Sequence, residues 1–173
     1  MSYQSLIAEI LGTDDRPTLE LVEELMRADR TALDGLVRLL LTQSHQRVVI
    51  AGGPRSGKSH LAAKLLRNGQ RLHDGEELTG VEWSAGSELF SRWLDEPGPY
   101  ICENVAAARG LRKWLLRNPL GGLPADLFIQ LDTQVDTRAP GQEAMAKGCR
   151  TVWDEIEPGL VRRGAKILRA RNL

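Results

Sequence analysis

Cysteine is scarce: the 173 residues contain only Cys102 and Cys149, with no C-x-x-C or metal-ligand spacing. This excludes a disulfide framework and a thiolate cluster, and leads us to expect a reduced, cytoplasmic setting. Histidine is scarce too, and His45, His60 and His73 make no H-E-x-x-H pair or similar cluster. No apolar run approaches the roughly 20 residues of a membrane span. The first residues also lack the basic-then-apolar order of a secretory signal. We therefore expect no membrane partner. The formal net charge of +0 is far from the strong basicity of a tight nucleic-acid binder.

That zero conceals an asymmetry. Residues 1–45 hold eight acidic and four basic side chains, net −4, and residues 46–173 hold fifteen and nineteen, net +4. The basic part contains the most informative stretch of the chain. Arg47 to Ala51 is a short β-branched run, the pattern of a buried strand. It breaks into a turn that satisfies G-x-x-x-x-G-K-[ST] with Gly52, Gly57, Lys58 and Ser59, and His60 to Leu66 then reads as a helix. Strand, glycine loop and helix in that order are the context in which this motif binds a triphosphate. Backbone N–H groups line a turn free of obstructing Cβ atoms, and the helix opening adds its positive end. Lys58 is placed to follow the β- and γ-phosphates, and the Ser59 hydroxyl to reach Mg²⁺. The expected ATP-binding segment is thus Gly52, Gly53, Pro54, Arg55, Ser56, Gly57, Lys58, Ser59 and His60. The competing reading is a glycine-rich β–α turn that binds nothing.

Residues 1–45 read as a helical N-terminal segment, with helices over 2–11, 18–26 and from Thr31 onward. This segment is read as a cap packed on the core in preference to a nucleic-acid or dimer contact, since its acidity would repel DNA. After the loop, a second strand covers Gln70 to Asp74. Ser84 is a plausible N-cap for a helix over 85–95, and Tyr100 to Glu103 is a third strand. Residues 105–118 form an amphipathic helix with Arg109, Arg112, Lys113 and Arg117 on one face. That face is either simply solvated or touches substrate or phosphate. A fourth strand covers Asp126 to Leu131, a helix runs to about Glu157 with Met145, Cys149, Val152 and Ile156 facing inward, and Ala165 to Ala170 is the fifth strand. Alternating strands and helices predict an α/β fold, a five-stranded parallel sheet flanked by helices. Ligands bind beyond the carboxyl ends of such strands, which brings Asp74 and Glu103 near the glycine loop.

The string Asn-Lys-x-Asp, needed for guanine, is absent. The core over 46–173 resembles the small P-loop kinases that phosphorylate nucleosides, nucleotides or polynucleotide ends. The resemblance implies a nucleotide-kinase-like P-loop fold, with Asp74 closing strand two and an Arg-bearing lid at about 133–150 that contains Arg138, Lys147 and Arg150. Arg55 departs from the usual loop, where small kinases have glycine. Trp83-Ser84, the run Trp93 to Glu103, Leu111 to Leu115 and Gly141 to Gly148 are similar to a bacteriophage P-loop kinase group that phosphorylates 5-hydroxymethyluracil in DNA, for thymidine hypermodification. This implies a kinase for that acceptor, working in the cytoplasm of a phage-infected bacterial host. A kinase of a free nucleoside, nucleotide or other small alcohol stays open, as does a non-kinase P-loop ATPase. In the kinase reading Lys58, Arg138 and Arg150 stabilise the transferring phosphoryl group, and Asp74 is the general base or orients the acceptor. Ser59 and Glu103 serve Mg²⁺. Asp74, Trp83, Glu103, Arg109 and Arg112 contact the acceptor, Trp83 by stacking on a base. A strand-end acid, a capping carboxylate and a core tryptophan are the plainer roles for Asp74, Glu103 and Trp83.

Overall fold

β1 (Arg47–Gly52) is buried at every position after Arg47, as its run of Val48, Val49 and Ile50 requires. The computed structural model describes residues 47–132 and 137–170, and the helices expected within 1–45 and the lid residues 133–136 lie outside these. β3 (Tyr100–Asn104) and β4 (Leu127–Leu131) pair with β1 on either side, both in parallel and both buried throughout. β2 (Arg71–His73) adds beyond β3 and β5 (Ile167–Ala170) beyond β4, giving the order β2-β3-β1-β4-β5. The expected five-stranded parallel sheet flanked by helices is present.

Parallel neighbours require crossovers, and these are right-handed in nearly all proteins. The step from β1 to β2 runs one way along the sheet, while every later step runs the other way. Helix α1 (Lys58–Leu65) therefore lies on one face. Helices α2 (Trp83–Trp93), α3 (Ala107–Arg117) and α4 (Pro140–Arg162) lie on the opposite face. The burial pattern agrees. Val49, Tyr100, Cys102 and Phe128 form one cluster with Phe90, Trp93, Leu111, Trp114 and Trp153 from those three helices. Glu103, next to Cys102 and so on the other face, instead meets Ser59 at the start of α1. The connections leaving β1 and its neighbours diverge at the carboxyl ends of the central strands, which opens a crevice there.

Several boundaries differ from the sequence reading by one or two residues, and three of the differences have a plain physical cause. Helix α2 starts at Trp83, because the Glu82 carboxylate accepts the N–H groups of Ser84 and Ala85 at 3.0 and 3.1 Å, so Glu82 rather than Ser84 is the N-cap. Helix α4 runs on through Pro158 to Arg162. Burial of Ile156, Leu160 and the fully enclosed Trp153, at about 1.5–3 kcal/mol for each large side chain, outweighs the hydrogen bond that the proline removes. β5 starts at Ile167, since Ala165 N–H is used to close the end of α4 on Leu160 O.

Candidate functional site

The glycine loop joins β1 to α1 at the carboxyl edge of the sheet. Gly57, the N-cap residue, has φ 88°, and no side chain caps the helix behind it, so the first N–H groups of α1 face outward without an intrahelical partner. Arg55 has φ 59°, the left-handed region that glycine prefers. This explains why a glycine is usual at that position, and the strain costs on the order of 1 kcal/mol for another residue. The Arg55 guanidinium offsets it with a 3.0 Å hydrogen bond to Thr137 O. The loop also seats tightly on α4. A Cβ at Gly53 would come within 2.6 Å of Ala146 Cβ and 2.9 Å of its Cα.

Lys58 is turned inward. Its Nζ donates to Gly53 O at 2.7 Å and approaches Ser56 Oγ at 3.5 Å, and the side chain is buried. Burial lowers its pKa, outweighing the opposing pull of the Glu103 carboxylate. Beside it, Ser59 Oγ donates to Glu103 Oε1 at 2.7 Å, and Gly75 N–H donates to the same oxygen at 3.3 Å. Two hard oxygens and a buried ammonium thus lie around one helix start. His60 is exposed on the first turn of α1.

Asp74 follows β2 directly and caps the 3₁₀ turn Gly75–Leu78. Its Oδ1 accepts Glu76 N–H at 2.9 Å, while Glu77 Oε1 accepts Asp74 N–H at 3.3 Å. The turn is anchored from behind by His73, stacked on Trp93 at 4.6 Å and held between Glu77 and Glu96, each at 3.2 Å. Asp74 is therefore a fixed, half-buried carboxylate on the same turn that presents Gly75 to Glu103.

On the α4 side, Arg138 Nε donates to Pro54 O at 2.7 Å, and its guanidinium meets Glu143 at 3.4 Å. Arg150 pairs with Asp132 at 3.3 Å and Glu143 at 3.7 Å, one step farther from the loop, and Lys147 is exposed. The basic face of α3 is engaged by neighbouring helices. Arg112 pairs with Glu155 at 2.9 Å, and Arg117 with Asp95 at 2.9 Å. Lys113 donates to Ser84 O at 2.9 Å and faces Glu88 at 3.5 Å. Arg109 lies 5.0 Å over the Trp83 ring. Trp83 is half-buried and lines a cleft beside the 3₁₀ turn, not the main core.

The structure thus gathers Lys58, Ser59, Glu103 and Arg138 around the loop and puts Asp74 on the adjoining turn. Arg109 and Trp83 meet each other, and Arg112 points to Glu155. Sequence reasoning passed over Asn104 and Gly75. The alternation of β3 was the available signal for Asn104: if Glu103 faces α1, the next residue faces the other crevice wall. Comparison with protein-family models and with curated proteins finds no match for this chain, so its chemistry has to be read from this geometry.

Proposed function

We propose that this chain is an ATP-dependent phosphotransferase with an alcohol acceptor, a kinase built on a nucleotide-kinase-like P-loop fold. The observation that carries this reading is the 2.7 Å hydrogen bond from Ser59 to Glu103 beside the buried Lys58 ammonium. A glycine turn that binds nothing gives no reason to keep a cation in so poorly solvated a place. A triphosphate gives one: it adds counter-charge beyond that of Glu103 beside the buried ammonium, and accepts the outward N–H groups of α1.

The Ser59 and Glu103 oxygens fit Mg²⁺. Among the described residues no three His, Cys, Asp or Glu side chains gather as a cage. A Mg²⁺ held there would complete its shell with phosphate oxygens and water. When bound, Mg²⁺ supplies charge neutralisation at the γ-phosphate. Lys58 holds the β- and γ-phosphate oxygens, and Arg138, tied to the loop through Pro54 O, is the nearest lid cation, with Arg150 behind it. Asp74 takes the proton of the acceptor hydroxyl as its oxygen bonds to the γ-phosphorus and the bond to ADP breaks.

The resemblance to the bacteriophage kinase group makes 5-hydroxymethyluracil in DNA the proposed acceptor, and the cytoplasm of an infected bacterium the setting. No helix among the described residues is long and apolar enough to cross a membrane. The second reading, a free nucleoside, nucleotide or small alcohol, is favoured by the ion pairs that occupy Arg112 and Arg117, because a DNA backbone would have to compete with them. Labelled ATP offered in parallel to 5-hydroxymethyluracil DNA and to free nucleosides decides between them. The DNA reading expects label in DNA that declines as salt rises. Label in nucleosides alone at low salt transfers the assignment to the small-molecule kinase, and label in neither, with phosphate release, to an ATPase.

A further inference from the structure

On the face of β3 opposite Glu103, Asn104 is only 5% exposed and lines a cleft of about 110 Å³. Its amide orientation is fixed, because Oδ1 accepts Ala106 N–H at 2.8 Å and Nδ2 must turn the other way. Nδ2 makes no hydrogen bond among the described residues and is left to the cleft that Asn104 lines. Around it the wall is apolar: Leu78, Val81 and the Trp83 ring, which Arg109 holds from one side. Gly86 lines the same space and leaves it open.

We propose that this cleft is a binding subsite for a neutral, ring-sized group bearing a hydrogen-bond-accepting oxygen, and that Asn104 is its specificity-determining donor. The volume is of the order of the ~150 Å³ cavity that accommodates a benzene ring. An amide donor in a largely apolar wall selects for a ring oxygen and against a bare hydrocarbon or a donor-only ring, since either leaves Nδ2 unmet. Gly75 links the subsite to the loop. A Cβ placed there would stand 3.4 Å from Asn104 Nδ2 and 4.0 Å from Glu103 Oε1, so the open space over Gly75 touches both. A ring hydrogen-bonded to Asn104 can extend a hydroxyl-bearing arm through that space toward Glu103. Its role as the acceptor subsite rests on the kinase reading; binding of the ring does not.

The test uses the full-length ¹⁵N-labelled protein without nucleotide, titrated with 2-pyridone, a planar ring with one carbonyl, and with benzene. 2-Pyridone should move the Asn104 side-chain NH₂ signal and the Trp83 indole signal saturably, and benzene should leave the NH₂ signal in place. Asn104→Asp keeps the bond to Ala106 N–H but replaces the donor with an acceptor, and should weaken 2-pyridone about tenfold or more. Gly86→Leu adds a side chain where a Cβ meets only ordinary contacts with Leu78 and Val81, at 3.9 and 4.0 Å, and should abolish binding in a folded protein. An unmoved Asn104 signal, or equal affinity in either folded variant, overturns the proposal. A parallel Mg·ATP titration separates the two readings. ATP binding with 2-pyridone silent removes the subsite alone, whereas 2-pyridone binding with ATP silent removes the kinase alone.

Discussion

On the proposed reading, Lys58 is poor for the fold and needed for the site. Its stem is buried, and among the described residues its ammonium reaches Gly53 O at 2.7 Å and Ser56 Oγ only at 3.5 Å. Lys58→Met keeps the stem, and phosphoryl transfer should fall on the order of hundredfold or more, read as initial rate with labelled ATP. Stability should not follow. Folding lowers the Lys58 pKa from 10.5, so at alkaline pH the unfolded chain holds this proton more tightly than the folded one. Wild-type stability relative to Lys58→Met should therefore rise as pH climbs through the folded pKa toward 10.5, in urea titrations at several pH values. The two acids separate in the same way. Asp74→Asn should keep ATP affinity and lose rate, because the amide retains the cap on Glu76 N–H but accepts no proton. If ATP affinity collapses instead, with residual chemistry normal, Asp74 is a structural cap and the base lies elsewhere, Glu103 being next.

At the scale of elements, a few contacts hold the loop, the 3₁₀ turn and α2 in register. Gly53→Ala should lower stability by about 1–3 kcal/mol, because Ala146 lies on the buried face of a long helix and cannot yield the space that a 2.6 Å contact demands. Thermal melts check this, and an unchanged midpoint would mean that loop and α4 part easily. The N-cap of α2 gives a pH signature. Its two backbone N–H donors hold the Glu82 pKa below its usual 4.5, so the cap contributes above that value and its contribution is lost as pH falls through the folded pKa. Glu82→Ala should melt earlier than wild type at neutral pH, and the gap should close in acid. A constant gap would assign the effect to something other than the carboxylate. This cap was missed in the sequence because serine is the stronger prior at such a place, whereas Glu82 acts from one residue before the helix.

For the molecule as a whole, the five strands and their parallel direction were legible because Val48 to Ile50, Tyr100 to Cys102 and Leu127 to Ile129 are apolar runs bounded by turns and separated by helices, whereas their order in the sheet was not. The glycine loop was legible because its residue types are dictated by backbone geometry at single positions. Long-range pairing was not. Nothing local announces that Arg112 meets Glu155, 43 residues on, or that Trp153 is enclosed while Met145 is only half-buried. The same holds for Asn104, whose open donor is defined by a cleft built from three separate segments. The central claim is that Ser59 and Glu103, from different elements of this sheet, form one Mg·ATP site. Calorimetry of ATP binding with and without Mg²⁺, on wild type and Glu103→Gln, tests it most directly. Mg²⁺ should strengthen ATP binding to the wild type and lose most of that increment in Glu103→Gln, with Mg-free binding retained through Lys58. Absence of ATP binding, or a Mg²⁺ increment that Glu103→Gln leaves intact, would contradict it.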